Sequence, residues 1–69
     1  MFPNIEAERA RRGWDKTKFA QQLNVSYGTM KNWMNGKTEI PASKIIEMSH
    51  IFSCSTDYLL GLSDPRSGR

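Results

Sequence analysis

TKFAQQLNVSYGTMKNW, residues 17–33, reads as two short helices joined by a tight turn, and the rest of the chain supports it. Phe19, Ala20 and Leu23 recur at helical spacing, while the polar Gln21 and Gln22 take the other side. Asn24 then stands where the chain must turn, and Asn is the residue after Gly that best tolerates left-handed backbone angles. Val25 is an apolar plug under that turn. Ser26 is placed to cap a second helix, its hydroxyl accepting from the backbone amide of Gly28 or Thr29. At about 100° per residue, Met30 and Trp33 share one face of this helix. Gly28, Lys31 and Asn32 cluster on the opposite face, with Tyr27 at its edge. One face packs and the other reaches outward.

Working outward, the N-terminal flank predicts a first helix capped by Asn4, continuing through Arg12 and stopped by Gly13. Its apolar side is thin: Ile5 is the clear inward residue, with Phe2 and the stems of Arg9 and Arg12 nearby. Trp14 is expected in the core, and Asp15 is placed to cap the next helix. On the other flank, residues 34–38 (MNGKT) stop the second motif helix and form a polar turn. Ile40 and Pro41 then open a fourth helix, with proline expected in its first turn, and Ile45, Met48, Ser49 and Phe52 are spaced to face the core. Ser55 caps a fifth helix over residues 56–60, closed by Gly61 with Leu62 folding back as an apolar contact. The expected architecture is therefore all-α: a compact five-helix domain over residues 1–62. Residues 63–69, SDPRSGR, are expected to be a disordered tail or the start of a linker.

A chain of 69 residues has room for one domain and a small core. Its charge is unevenly spread. Residues 1–39 carry seven basic groups (Arg9, Arg11, Arg12, Lys16, Lys18, Lys31, Lys37) against four acids (Glu6, Glu8, Asp15, Glu39). Residues 40–62 carry Lys44 against Glu47 and Asp57, so the positive field belongs to the half that holds the two-helix motif, and a polyanion would approach from that side. The single Cys54 has no internal partner for a disulfide, and no apolar run reaches the roughly 18 residues of a membrane span. Charges occupy the N-terminal stretch where a signal peptide needs an apolar core. A soluble, cytoplasmic protein is expected, with no membrane or small-molecule partner evident.

Four segments carry a family resemblance: ERARRG at 8–13, KFAQQLNVS at 18–26, NWMNGKTEIP at 32–41 and STDYLLGL at 55–62. In that order and spacing the chain resembles the phage-repressor and Cro-type (XRE-like) helix-turn-helix transcriptional regulators over residues 4–62. The resemblance implies a lambda-repressor-like fold whose second motif helix enters the major groove, the groove wide enough to take a helix. It implies double-stranded DNA as partner, with a pseudo-palindromic operator bound by a homodimer, and a bacterial or phage regulator, most simply a repressor. The positions that touch base edges in such proteins are here Tyr27, Gly28, Thr29, Lys31 and Asn32. Asn32 is suited to adenine N6 and N7, Tyr27 to a thymine methyl or a phosphate, and Lys31 to a guanine or a phosphate. Gly28 offers no side chain, so either the backbone approaches the groove closely there or that base step is weakly read. Phosphate contacts fall on Lys16, Lys18, Asn35, Lys37 and Thr38. Two departures stand out. Lys16 replaces the Gln common in relatives, and Met34 replaces a Glu that commonly pairs with the equivalent of Arg9. Arg9 is then expected either to reach phosphate or to pair with Glu6 or Glu39.

Competing chemistries find less support. His50 and Cys54 lie four apart on the expected fourth helix, a spacing two metal ligands could use, but no second pair exists to complete a tetrahedral site, so no metal or other cofactor is expected. Ser, His and Asp all occur near the C-terminal end, yet a lone histidine without a glycine-rich nucleophile turn gives catalysis no basis. The alternative function is a helical protein-interaction module or antitoxin-like adaptor, with Ile51, Tyr58, Leu59 and Leu62 as its partner surface.

Overall fold

A computed structural model describes residues 2–62 as five helices. They are α1 (Pro3–Arg11), α2 (Lys16–Gln22), α3 (Tyr27–Met34), α4 (Ala42–Phe52) and α5 (Thr56–Leu59). The expected tail at 63–69 lies outside the described residues.

The central pair forms as its sequence dictates. Asp15 caps α2, its carboxylate accepting from the Lys18 amide at 2.8 Å, and Ser26 caps α3 by accepting from the Thr29 amide at 3.1 Å. Between them Asn24 adopts φ 56°, and the Val25 amide returns to the Ala20 carbonyl at 3.1 Å. That bond closes the last turn of α2 as the chain reverses. Lys44 of α4 adds a cap from outside the motif: its ammonium donates to the Leu23 carbonyl at 2.9 Å while pairing with Glu47 at 3.0 Å.

The core gathers one stripe from every helix. Ile5, Phe19, Leu23, Met30, Met48 and Leu59 are fully buried, and Trp33, Ile45 and Phe52 nearly so. Trp14 is half-buried rather than central, covering the Phe19 and Phe52 rings at centroid distances of 6.1 and 5.8 Å.

Several local expectations differ from the structure in detail, one of them through a distant contact. Helix α1 begins at Pro3 with Phe2 as its uncapped boundary, because the Asn4 side chain serves another purpose: its amide donates to the Tyr58 carbonyl at 2.6 Å, tying α1 to the turn of α5. Pro41 stands at the N-cap of α4, one residue before the first turn, where its extended backbone (ψ 147°) leads into the helix. Ser49 is half-buried, its hydroxyl donating to the Ile46 carbonyl at 2.6 Å. α5 ends at Leu59, with Leu60 as its C-cap. After it, the Leu62 amide does fold back onto the Asp57 carbonyl at 2.8 Å, but the Leu62 side chain stays 73% exposed.

Glu8 of α1 is buried at 3% exposure. One of its carboxylate oxygens accepts from Arg12 at 3.0 Å and the other from the Tyr58 hydroxyl at 3.0 Å, with Arg11 at 3.3 Å. Arg12 also donates to the Phe52 carbonyl at the end of α4, at 3.1 Å, and lies 4.8 Å from the Phe52 ring centre. This buried acid, together with Arg12, joins α1, α4 and α5 through charge and hydrogen bonds.

Candidate nucleic-acid interface

α3 divides cleanly. Met30 and Trp33 are buried in the core, whereas Tyr27, Gly28 and Lys31 are exposed and Thr29 and Asn32 half-buried. The cap fixes the start of the helix: the Ser26 hydroxyl takes the Thr29 amide and donates its own proton to Thr29 Oγ1 at 2.9 Å. Thr29 is thereby partly committed to the cap. The Tyr27 hydroxyl, the Lys31 ammonium and the Asn32 side-chain amide bond to no other group among the described residues, so their hydrogen-bonding capacity faces outward unspent.

The chain leaves α3 through a second tight turn. Gly36 takes φ 74°, and the Lys37 amide returns to the Asn32 carbonyl at 2.9 Å. This turn holds Asn35, Lys37 and Thr38 exposed immediately beyond α3. At the other end of the motif, Arg9, Asp15, Lys16, Thr17, Tyr27 and Met34 line one depression of about 410 Å³. It brings together three of the residues expected at the site from the sequence, Arg9, Lys16 and Tyr27.

Electrostatics separate the cations into two groups. Arg9, Arg11, Arg12 and Lys44 are ion-paired with Glu6, Glu8, Glu8 and Glu47. Lys16, Lys18, Lys31 and Lys37 form no ion pair among the described residues, and all four are exposed on the two motif helices or the loop after them. Arg9 takes one of its expected alternatives: Nη2 bonds Glu6 at 2.9 Å, Nε bonds the same oxygen at 3.1 Å, and Nη1 donates to the Trp14 carbonyl at 2.5 Å. Three of its donors are thus used within the chain, bracing α1 against the entry to α2.

The other chemistries fare differently from their sequence spacing. α4 ends at Phe52 with Ser53 in the left-handed region (φ 55°), so Cys54 leaves the helix that carries His50. Among the described residues no group of three or more His, Cys, Asp or Glu side chains is placed to hold a metal ion. Burial, followed by the nearby Glu8 charge, pushes the Cys54 thiol above its ordinary value, which disfavours a reactive thiolate. The expected interaction surface is broken up: Leu59 is fully buried, Ile51 half-buried, and the Tyr58 hydroxyl is turned inward onto Glu8. No described helix is long and apolar enough to cross a membrane.

What sequence reasoning missed is the Glu8, Arg12 and Tyr58 brace. The spacing of Glu8 and Arg12 at i, i+4 was visible as a helical ion pair. Tyr58, fifty residues away, gave no local sign of joining it.

Two capped helices at a left-handed asparagine, the second with a packed inner face and an unspent outer one beside four unpaired lysines, define a helix-turn-helix DNA-binding domain. The chain belongs to the helix-turn-helix family HTH_3, the Cro/C1 type, which matches residues 5–59. Members of this family bind DNA and are not enzymes. Among solved structures, the chain is similar to the P22 c2 repressor protein in complex with synthetic operator 9T in the presence of Tl+. The TM-score is 0.71 at 25% sequence identity, over 86% of this chain and 89% of that one. No curated protein sequence matches the chain.

Proposed function

We propose that this protein is a sequence-specific transcriptional regulator, acting as a repressor, that reads operator DNA with α3. The reading rests on residues 1–62 as the DNA-binding unit and on a homodimer whose two α3 helices sit one helical turn apart, roughly 34 Å, on a pseudo-palindromic site of bacterial or phage DNA. The observation that carries it is the coincidence of unspent groups. The side chains free to bond outward on α3 (Tyr27, Lys31, Asn32) and, among the described residues, the cations without an ion pair (Lys16, Lys18, Lys31, Lys37) belong to the same two helices and the loop after them. The likeness to an operator-bound repressor supports the same orientation.

In this reading Asn32 pairs with an adenine edge, Lys31 with guanine or phosphate, and Tyr27, Gly28 and Thr29 lie against the neighbouring bases. Lys16, Lys18, Asn35, Lys37 and Thr38 hold the phosphate strands on either side. Arg9 reaches phosphate only with the donors that Glu6 and Trp14 leave over, so its share is the smallest.

The test is binding to random-sequence duplex DNA across a salt series. Four unpaired lysines neutralising phosphates give a log–log slope of about −3 to −4 per protomer, and Lys37→Ala makes it shallower by about 0.9. Once an operator has been selected from a random library, Asn32→Ala weakens that site by about 5- to 150-fold and leaves random DNA nearly unchanged. Absence of binding at 50 mM salt, an order-of-magnitude choice at which phosphate attraction is strong, would overturn the proposal.

A further inference from the structure

Four glycines fall among the described residues, and three of them are demanded by the backbone: Gly13, Gly36 and Gly61 have φ of 70°, 74° and 78°. Gly28 is different. It lies in the first turn of α3 with no positive φ, and a Cβ built on it would meet only the Ser26 hydroxyl oxygen, at 3.9 Å, an ordinary contact. Neither conformation nor packing requires glycine there, and a helix is more stable with almost any other residue. The position is exposed, and it lies three and four residues before Lys31 and Asn32, on the same strip of the helix. The outward face of α3 therefore contains a patch of bare backbone, preceded by the Tyr27 ring and followed by two unspent polar side chains.

We propose that Gly28 sets the depth of α3 in the major groove, its bare Cα packing directly against a base edge so that Asn32 comes within hydrogen-bond range of its base. This deepens the DNA-reading role of α3 and rests on it. A Cβ would stand the helix off by about 1.5 Å, one carbon–carbon bond. A hydrogen bond made at about 2.9 Å is lost at such a displacement. Binding to random sequence is held by phosphates and does not require that close approach.

The experiment compares wild type, Gly28→Ala, Asn32→Ala and the double variant on the selected operator and on random duplex, with thermal unfolding of each. Gly28→Ala is expected to raise Tm by roughly 2–8 °C. It is expected to lower operator affinity by about tenfold or more while changing affinity for random duplex less than about twofold. In the Gly28→Ala background, Asn32→Ala should then cost little more, because the raised helix has already lost that bond. Undiminished operator binding by Gly28→Ala, a lowered Tm, or losses that simply multiply in the double variant would each overturn the role of Gly28 while leaving α3 as the reading helix. Failure of wild type to bind any duplex would remove both.

Discussion

Replacing Glu8 tests whether a buried charge has taken over the work of a core side chain. The carboxylate makes three contacts of unequal worth. Arg11 is 69% exposed, so its pair at 3.3 Å contributes close to nothing, about 0–1 kcal/mol. Arg12, at 3.0 Å and 29% exposed, contributes about 1 kcal/mol after allowance for solvent. The Tyr58 hydroxyl at 3.0 Å bonds an ionised acceptor that is itself buried, an interaction of about 1.5–3 kcal/mol whose loss also strands the hydroxyl. Glu8→Ala should therefore destabilise by about 3 kcal/mol, which lowers Tm by roughly 12–24 °C in a domain this small. Helical circular dichroism followed through thermal unfolding reads the shift. Glu8→Leu combined with Tyr58→Phe removes both polar partners and fills the space, so the pair should recover much of the loss that Glu8→Leu alone incurs. A Glu8→Ala variant that melts within about 3 °C of wild type, an effect below 1 kcal/mol, would refute the reasoning. So would a double variant no more stable than Glu8→Leu.

Two further outcomes follow from the same region. Burial raises the Tyr58 hydroxyl above its ordinary value, with help from its hydrogen bond to Glu8 and the Glu8 charge. The folded state then favours the neutral phenol, so its stabilisation is complete below about pH 10 and disappears as pH rises through the higher folded value. Unfolding by urea between pH 8 and 11, read in a Cys54→Ala background because the raised thiol titrates in the same direction, should show an alkaline decline that Tyr58→Phe flattens. Ser53 holds φ 55°, ψ 42° at the end of α4 without a glycine's freedom, and Ser53→Gly should raise the urea midpoint by the equivalent of about 1 kcal/mol; an unchanged midpoint would mean that the turn carries no strain.

The motif itself was legible because its instructions are local. Asp15 and Ser26 cap helices that begin at the next residue, Asn24 makes its own turn, and Met30 and Trp33 fall inward by period alone. The misreadings at Asn4 and Tyr58 involve side chains with a choice between a near partner and a far one. Asn4 had an adjacent helix start available yet bonds Tyr58, fifty-four positions along the chain. Tyr58 and Leu59 looked alike as surface candidates, but only the tertiary position of α5 decides that one meets Glu8 and the other enters the core. At the candidate site the outward face of α3 was readable from helical period. Which cations remain available was not, since that depends on the ion pairs that hold Arg9, Arg11, Arg12 and Lys44.

The bond from Asn4 to the Tyr58 carbonyl makes the domain a closed circuit, its first helix fastened to its last. A module built this way has its entrance and exit side by side. Ends placed close together are the general reason domains tolerate insertion into a host loop or attachment at either end of a larger protein.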